Sequence, residues 1–121
     1  MFRIAQLITV LILFSATVAH AQEQPISPKE IQDTWVGKTL IGTAANGAAV
    51  TMKIQADGSA SLAAGSTNVA GTWHVSENGY CTTWKTNRGA QEKCFLAVHS
   101  GQKIVVSNLD GSLSGYFTDI K

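Results

Sequence analysis

The cysteines Cys81 and Cys94 are the residues whose type and spacing point most directly to a specific chemistry. A C-x-x-C redox motif is absent. A zinc site normally needs four ligands at short local spacing, and only His74 and His99 could join the two thiols. A hairpin folded about positions 87–88 instead makes the cysteines cross-strand neighbours. Their Cα atoms would then be about 4.5–5.5 Å apart, which is within the range for a disulfide. We predict a structural disulfide, with metal, redox or unpaired states as the alternatives.

The remaining polar residues do not suggest a catalytic group. His74 alternates with apolar neighbours, which predicts an outer-face position, and His99 precedes a Ser-Gly turn. The sequence spacing places no acidic residue beside either histidine. The nucleophile, base and acid of a catalytic triad are therefore not predicted to come together. Asp57 and Asp110 begin Asp-Gly turns, where an aspartate has a structural role. We expect no enzymatic activity, no catalytic residue, no bound metal and no cofactor.

Aromatic side chains are the most distinctive set that remains. On the predicted central hairpin Tyr80, Trp84 and Phe95 share one face, and Trp35 precedes the first predicted barrel strand. Aromatic side chains dominate core energetics, so an aromatic core covered by an N-terminal helix is one interpretation. The other is a binding surface or a barrel-mouth ligand site formed by Trp35, Tyr80, Trp84 and Phe95.

The first 21 residues have the form of a signal peptide. A short positive start at Met1-Phe2-Arg3 precedes an apolar stretch, and Ala19-His20-Ala21 has the small-x-small form of a cleavage site. We predict a mature chain from Gln22 with no membrane span, located in the periplasm or secreted. A retained N-terminal anchor is the alternative.

The mature chain contains a short helix followed by a regular series of strands. Ser27-Pro28-Lys29-Glu30 predicts a capped helix start, with Glu30 reaching back to the cap, and Gly37 predicts its end. After it, period-two alternation and recurrent Asx-Gly turns predict an all-β antiparallel meander. Its eight strands are 38–45, 48–55, 59–64, 69–76, 80–86, 91–99, 102–108 and 112–118.

Eight up-and-down strands can close into a small barrel, which removes exposed strand edges. We predict this all-β barrel over residues 38–121, with residues 22–37 as an N-terminal segment containing the short helix. A two-sheet sandwich is the competing architecture.

Charge excludes two classes of partner. The chain has nine Lys and Arg residues and eight Asp and Glu residues, and one of the cations, Arg3, belongs to the predicted signal peptide. A nearly neutral domain with scattered cations lacks the basic stripe that nucleic acids require. It also lacks the polybasic segment that binds anionic membranes. We therefore expect neither nucleic acid nor a membrane surface as partner.

The hairpin motif carries a resemblance to known proteins. Gly71-Thr72-Trp73 followed by Tyr80-Cys81 and Cys94-Phe95 resembles a group of small exported bacterial proteins of unknown function. More distantly, the chain is similar to calycin-like barrels, namely lipocalins, avidins and bacterial secreted-metalloprotease inhibitors. This resemblance implies an eight-stranded barrel with one disulfide, and it places Gln22 to Ile26 where the inhibitors have a free segment that enters the protease cleft. Lipocalins carry G-x-W on the first strand, whereas here it lies mid-chain.

These observations together predict an exported, non-catalytic binding protein. One version binds or inhibits another exported protein, such as a hydrolase. The alternative is a carrier that holds a small hydrophobic ligand in the barrel interior. A purely structural role in the cell envelope is the third reading.

Overall fold

A computed structural model describes residues 24–86 and 89–121 of the 121-residue chain. The predicted signal peptide lies outside these residues, as do positions 87 and 88. The described part is all-β apart from one short helix. Its elements in chain order are β1 (Gln24–Pro25), α1 (Pro28–Thr34), β2 (Thr39–Ala44), β3 (Ala49–Ile54), β4 (Ser59–Ala64), β5 (Thr67–Ser76), β6 (Gly79–Trp84), β7 (Glu92–Ser100), β8 (Lys103–Asn108) and β9 (Leu113–Ile120).

Strands β2 to β9 form a closed antiparallel barrel. Each pairs with its neighbours in chain order, and β2 pairs with β9 to close the sheet. The predicted eight-stranded up-and-down barrel is therefore confirmed, and every predicted strand overlaps an observed one. Glycines with positive φ allow the tight turns between strands, as at Gly47 (φ +87°) and Gly58 (φ +88°).

Strand β1 is an addition that the sequence does not predict. Gln24 and Pro25 pair with the end of β7, and the N–H of Ile26 donates to the Ala97 carbonyl at 2.9 Å. Ile26 itself is only 1% exposed. The expectation of a free segment over Gln22 to Ile26 is therefore wrong for its described part, because backbone pairing and burial of Ile26 attach it to the barrel.

Helix α1 begins where the sequence predicts. Ser27 is its N-cap, with Oγ accepting the Glu30 N–H at 3.1 Å. The Glu30 carboxylate, which the capping pattern directs back to the cap, instead has Oε2 2.6 Å from Nε2 of His99. Trp35 caps the end of the helix, and Gly37 (φ +76°) turns the chain toward β2. Among the described residues, no helix has the length and apolar character needed to cross a bilayer.

Trp35 fills the end of the barrel next to the helix. Its indole is fully buried and packs edge-on against Tyr80 and Phe117, with ring centroids 5.4 and 5.8 Å away. The buried hydrophobic core consists of Ile26, Ile31, Trp35, Leu40, Met52, Ile54, Ala60, Trp73, Tyr80, Ala97, Ile104, Val106 and Phe117. The N-terminal segment thus contributes Ile26, Ile31 and Trp35 to the same core as the strands.

The central hairpin has the predicted register. Tyr80 lies opposite Phe95 and Cys81 opposite Cys94, and the two sulfur atoms are 2.01 Å apart. The predicted pairing of Cys81 with Cys94 is therefore confirmed, with the two sulfur atoms at disulfide distance. Such a bond fits an oxidising, exported compartment.

The buried hydroxyl of Thr82 provides a test of hydrogen bonding in the barrel interior. Thr82 is 2% exposed, and its Oγ1 has no hydrogen-bond partner within the described residues. A buried hydroxyl without a partner is unfavourable by about 1–3 kcal/mol. We expect Thr82→Val to raise the free energy of unfolding in urea by about 1 kcal/mol.

The matched control is Thr83→Val on the same strand, whose side chain points to the opposite face and is less buried. It should change stability by less than about 0.5 kcal/mol. A loss of stability in Thr82→Val would contradict an unsatisfied hydroxyl and indicate a buried water.

Candidate ligand site at the open end of the barrel

The barrel has an apolar cavity at the end opposite the helix, where the turns after β2, β4, β6 and β8 lie. The cavity volume is about 170 Å³. Its walls are formed by Thr43, Ala44, Val50, Leu62, Ala64, Val106, Ser114, Gly115, Tyr116 and Phe117. The two ends of the barrel therefore differ, since one is filled by Trp35 and the other is partly hollow.

Small residues on β2 and β9 produce this cavity. A Cβ on Gly42 would overlap the carbonyl oxygen of Tyr116, and a Cβ on Gly115 would lie 2.6 Å from the carbonyl oxygen of Thr43. The two strands can approach this closely because both positions lack a side chain. Gly42 and Gly115 alternate with outward positions, opposite inward Val50 and Val106. At these two positions the interior wall of the β2–β9 seam is therefore bare backbone.

At a third inward-facing glycine, Gly71, an aromatic side chain fills the space beside the glycine. A Cβ on Gly71 would lie 2.8 Å from Cε3 of Trp84, so the indole occupies the space above this glycine. Trp84 is half-buried and packs against the core. The mouth is therefore filled by an aromatic ring on the β5–β6 side and remains hollow on the β2–β9 side.

Among residues 24–86 and 89–121, those that line the cavity carry no carboxylate, ammonium, guanidinium or imidazole group. The polar side chains among the lining residues are the hydroxyls of Thr43, Ser114 and Tyr116. The adjoining turns at 45–48 and 65–66 contain only Ala, Asn, Gly and Ser, and in the β8–β9 turn the Asp110 carboxylate accepts from the N–H and the hydroxyl of Ser112. An ionised group placed in this part of the mouth would lose hydration without gaining a counter-charge.

Of the four aromatic residues predicted as a binding surface, two are buried. Trp35 and Tyr80 are 0% and 4% exposed, so the exposed-surface prediction is wrong for these two, and burial raises the pKa of the Tyr80 hydroxyl strongly. Phe95 packs against Tyr80 with centroids 5.3 Å apart. Phe95 and Trp84 are half-buried against the core. The physical reason is that this face of the hairpin points into the barrel, which is the aromatic-core alternative.

Each described histidine has an acidic neighbour, contrary to the expectation from spacing. His99 Nε2 lies 2.6 Å from Oε2 of Glu30, and His74 Nε2 lies 3.2 Å from Oε1 of Glu92. The Val75 carbonyl and the Glu92 carboxylate raise the pKa of His74. Both contacts are long-range in sequence, 69 and 18 residues, and depend on the docked helix and on strand register. Sequence spacing could therefore not reveal them.

The sequence contains a signal for the cavity that its strand pattern alone does not reveal. The inward positions near the mouth are small at Gly42, Ala44, Ala64 and Gly115, whereas those near the helix include the large residues Leu40, Ile54 and Tyr80. This contrast is visible only once the inward face of each strand is known. No family model, curated protein or solved structure matches the chain.

Proposed function

We propose that the protein is an exported, non-catalytic binding protein that takes a small, uncharged apolar ligand into the mouth cavity. The supporting observation is the apolar cavity of about 170 Å³ at one end of an otherwise filled barrel. An apolar concavity that faces water gains free energy when an apolar group replaces the water in it. The likeness to calycin-like barrels supports this proposal at the level of architecture.

The size of the cavity limits the ligand. An apolar cavity of about 150 Å³ in another protein accepts benzene, whereas drug-sized ligands occupy about 300–1,000 Å³. The mouth therefore accepts one aromatic ring or a short aliphatic group. A longer molecule would place only its apolar end inside, with the rest in solvent.

The uncharged walls define the chemical class. A neutral alcohol can keep its hydroxyl in the water at the open mouth while its chain enters the cavity. A carboxylate or an ammonium of the same length would lie beside walls that offer no ion pair. We therefore expect neutral ligands to bind more tightly than their ionised analogues.

Binding of another exported protein is the second candidate function. Leu109 and Leu113 are 67% and 48% exposed and flank the β8–β9 turn at the same end of the barrel. Exposed leucines near one another can contact a partner protein. The aromatic residues first considered for this role contribute little, because two of them are buried.

The test is a methyl NMR titration of the mature chain with benzene, hexan-1-ol, hexanoate and hexylammonium. We expect saturable shifts of the Val50, Leu62 and Val106 methyl groups with the first two ligands and weaker shifts with the two ions. Ala64→Leu places a larger side chain in the cavity. It should weaken binding by at least about tenfold, or about 1.4 kcal/mol.

The matched control is Ala63→Leu, the adjacent residue, which points to the outer face opposite Thr51. It should leave binding unchanged. Equal binding to both variants would contradict the cavity as the site. Lack of any saturable response in the unmodified chain would reject the carrier function and leave the protein-partner function.

A further inference from the structure

A cluster of four metal-ligand residue types lies on the outer face of strands β5, β6 and β7. In the strand register His74 is opposite Cys81, and Cys81 is opposite Cys94. Glu92 precedes Cys94 by two residues on β7 and therefore points to the same face. One imidazole, two sulfur atoms and one carboxylate thus meet at one level of the barrel wall. None of them belongs to the mouth cavity.

The donor atoms are close enough to share one ion. The nearest ligand atoms of His74, Cys81 and Glu92 all lie within 4.8 Å of one another. Oε1 of Glu92 is 3.2 Å from Nε2 of His74 and 3.6 Å from Sγ of Cys94. Zinc bonds of about 2.0–2.3 Å in tetrahedral geometry separate donor atoms by roughly 3.3–3.8 Å. The oxygen-to-nitrogen and oxygen-to-sulfur distances already approach these values.

The orientation of the His74 ring suits a metal ligand. Its Nδ1 lies 3.0 Å from the carbonyl oxygen of Val75, which can only accept, so Nδ1 carries a proton. A metal-binding histidine commonly donates its second ring N–H in this way. Nε2 then faces Oε1 of Glu92 at 3.2 Å, so both atoms point at one position. A proton on Nε2 makes this contact an ion pair, and a metal ion can occupy the same position.

We propose that reduction of the Cys81–Cys94 disulfide converts this cluster into a zinc site with two thiolates, the His74 imidazole and the Glu92 carboxylate as ligands. A dithiol reductant supplies two electrons and two protons to the sulfur–sulfur bond and becomes a disulfide itself. Zn²⁺ then displaces one proton from each thiol, and the proton of His74 Nε2 where that nitrogen carries one, and these protons pass to the solvent. Thiolate and imidazole donors favour zinc over the hard cations magnesium and calcium.

The two forms exclude each other. In the oxidised chain Cys81 and Cys94 are bonded to each other, which leaves His74 and Glu92 as the strong donors of the cluster. Two ligands do not make a structural zinc site, which has four. The His74 and Glu92 side chains are 58% and 54% exposed, so an ion can enter from solvent. The same residues therefore hold either a sulfur bridge or a metal ion.

The test is a Co²⁺ and Zn²⁺ titration of the mature chain before and after treatment with a phosphine reductant, which itself becomes the phosphine oxide. We expect one ion per reduced chain, a sulfur-to-cobalt charge-transfer band, and visible absorption typical of tetrahedral Co²⁺. We also expect the near-ultraviolet circular dichroism of the folded barrel to persist in the zinc-bound form. His74→Ala and Glu92→Gln should each weaken Zn²⁺ binding by at least about tenfold.

The matched control is His99→Ala, since His99 is paired with Glu30 at a different place on the barrel. It should not change the metal affinity. Equal binding by oxidised and reduced chains, or a cobalt spectrum without the sulfur band, would overturn the proposal. So would zinc binding by a reduced chain that lacks the folded near-ultraviolet signal, because the site requires the strand register.

Discussion

Replacement of Trp35 by alanine is expected to lower the free energy of unfolding by about 3–5 kcal/mol, as large aromatic-to-alanine changes in cores do. The indole is fully buried and contacts Tyr80 and Phe117. Its removal would leave a void at the closed end of the barrel and weaken the docking of α1. A helix of seven residues cannot persist alone, so α1 would then be held by buried Ile31 and by the pairing of β1 with β7. Urea unfolding followed by near-ultraviolet circular dichroism measures the change.

Trp35→Phe is the matched control. It keeps an aromatic ring in the core and removes Nε1, a donor without a partner among the described residues. The loss of stability should therefore be less than half that of the alanine variant. If Trp35→Ala lowers the free energy of unfolding by under about 1 kcal/mol, the indole does not close the barrel.

Removal of the disulfide is expected to have the next largest effect. The bond joins residues separated by 13 positions, and closing a loop of this size restricts the unfolded chain by about 3 kcal/mol in the chain-entropy model. The Cys81→Ala/Cys94→Ala double variant should lose that amount in urea unfolding. Domains of this size are stable by only about 5–15 kcal/mol, so the bond contributes a large share.

Reductant provides the control for this second prediction. The unmodified chain in a phosphine reductant without metal should fall to the stability of the double variant, and the double variant should not respond to reductant. A loss below about 1 kcal/mol would mean that the bond constrains the unfolded chain very little. Detection of two free thiols by mass spectrometry would contradict the bond itself.

The sequence predicts the barrel well because the determinants of its strands are local. Asx-Gly turns and alternation are visible in short windows, and a two-strand hairpin fixes its own register, as it does for Cys81 opposite Cys94. The start of α1 is equally local, because Ser27 and the following proline act within one turn.

The features that escape prediction depend on contacts between distant segments. The cavity requires Gly42 to pair with Phe117 and Gly115 with Ala44 across the β2–β9 seam, which includes a register shift between Ile41 and Gly42. The pairing of β1 with β7 joins segments that are more than 70 residues apart, so no local sequence pattern marks it. Trp35 and Tyr80 were ambiguous in sequence because a hairpin with apolar residues on both faces does not show which face is inward.

The β2–β9 seam has a consequence for how the chain folds. Residues that pair across this seam, such as Thr43 and Tyr116, are separated by most of the domain's sequence. Such non-local pairing slows folding, because the entropy of a long connecting segment is lost before the contacts form. Until β9 docks between β2 and β8, the sheet has two unpaired edges, which are open to association with other chains. Docking of β9 is thus the step that ends this vulnerable interval.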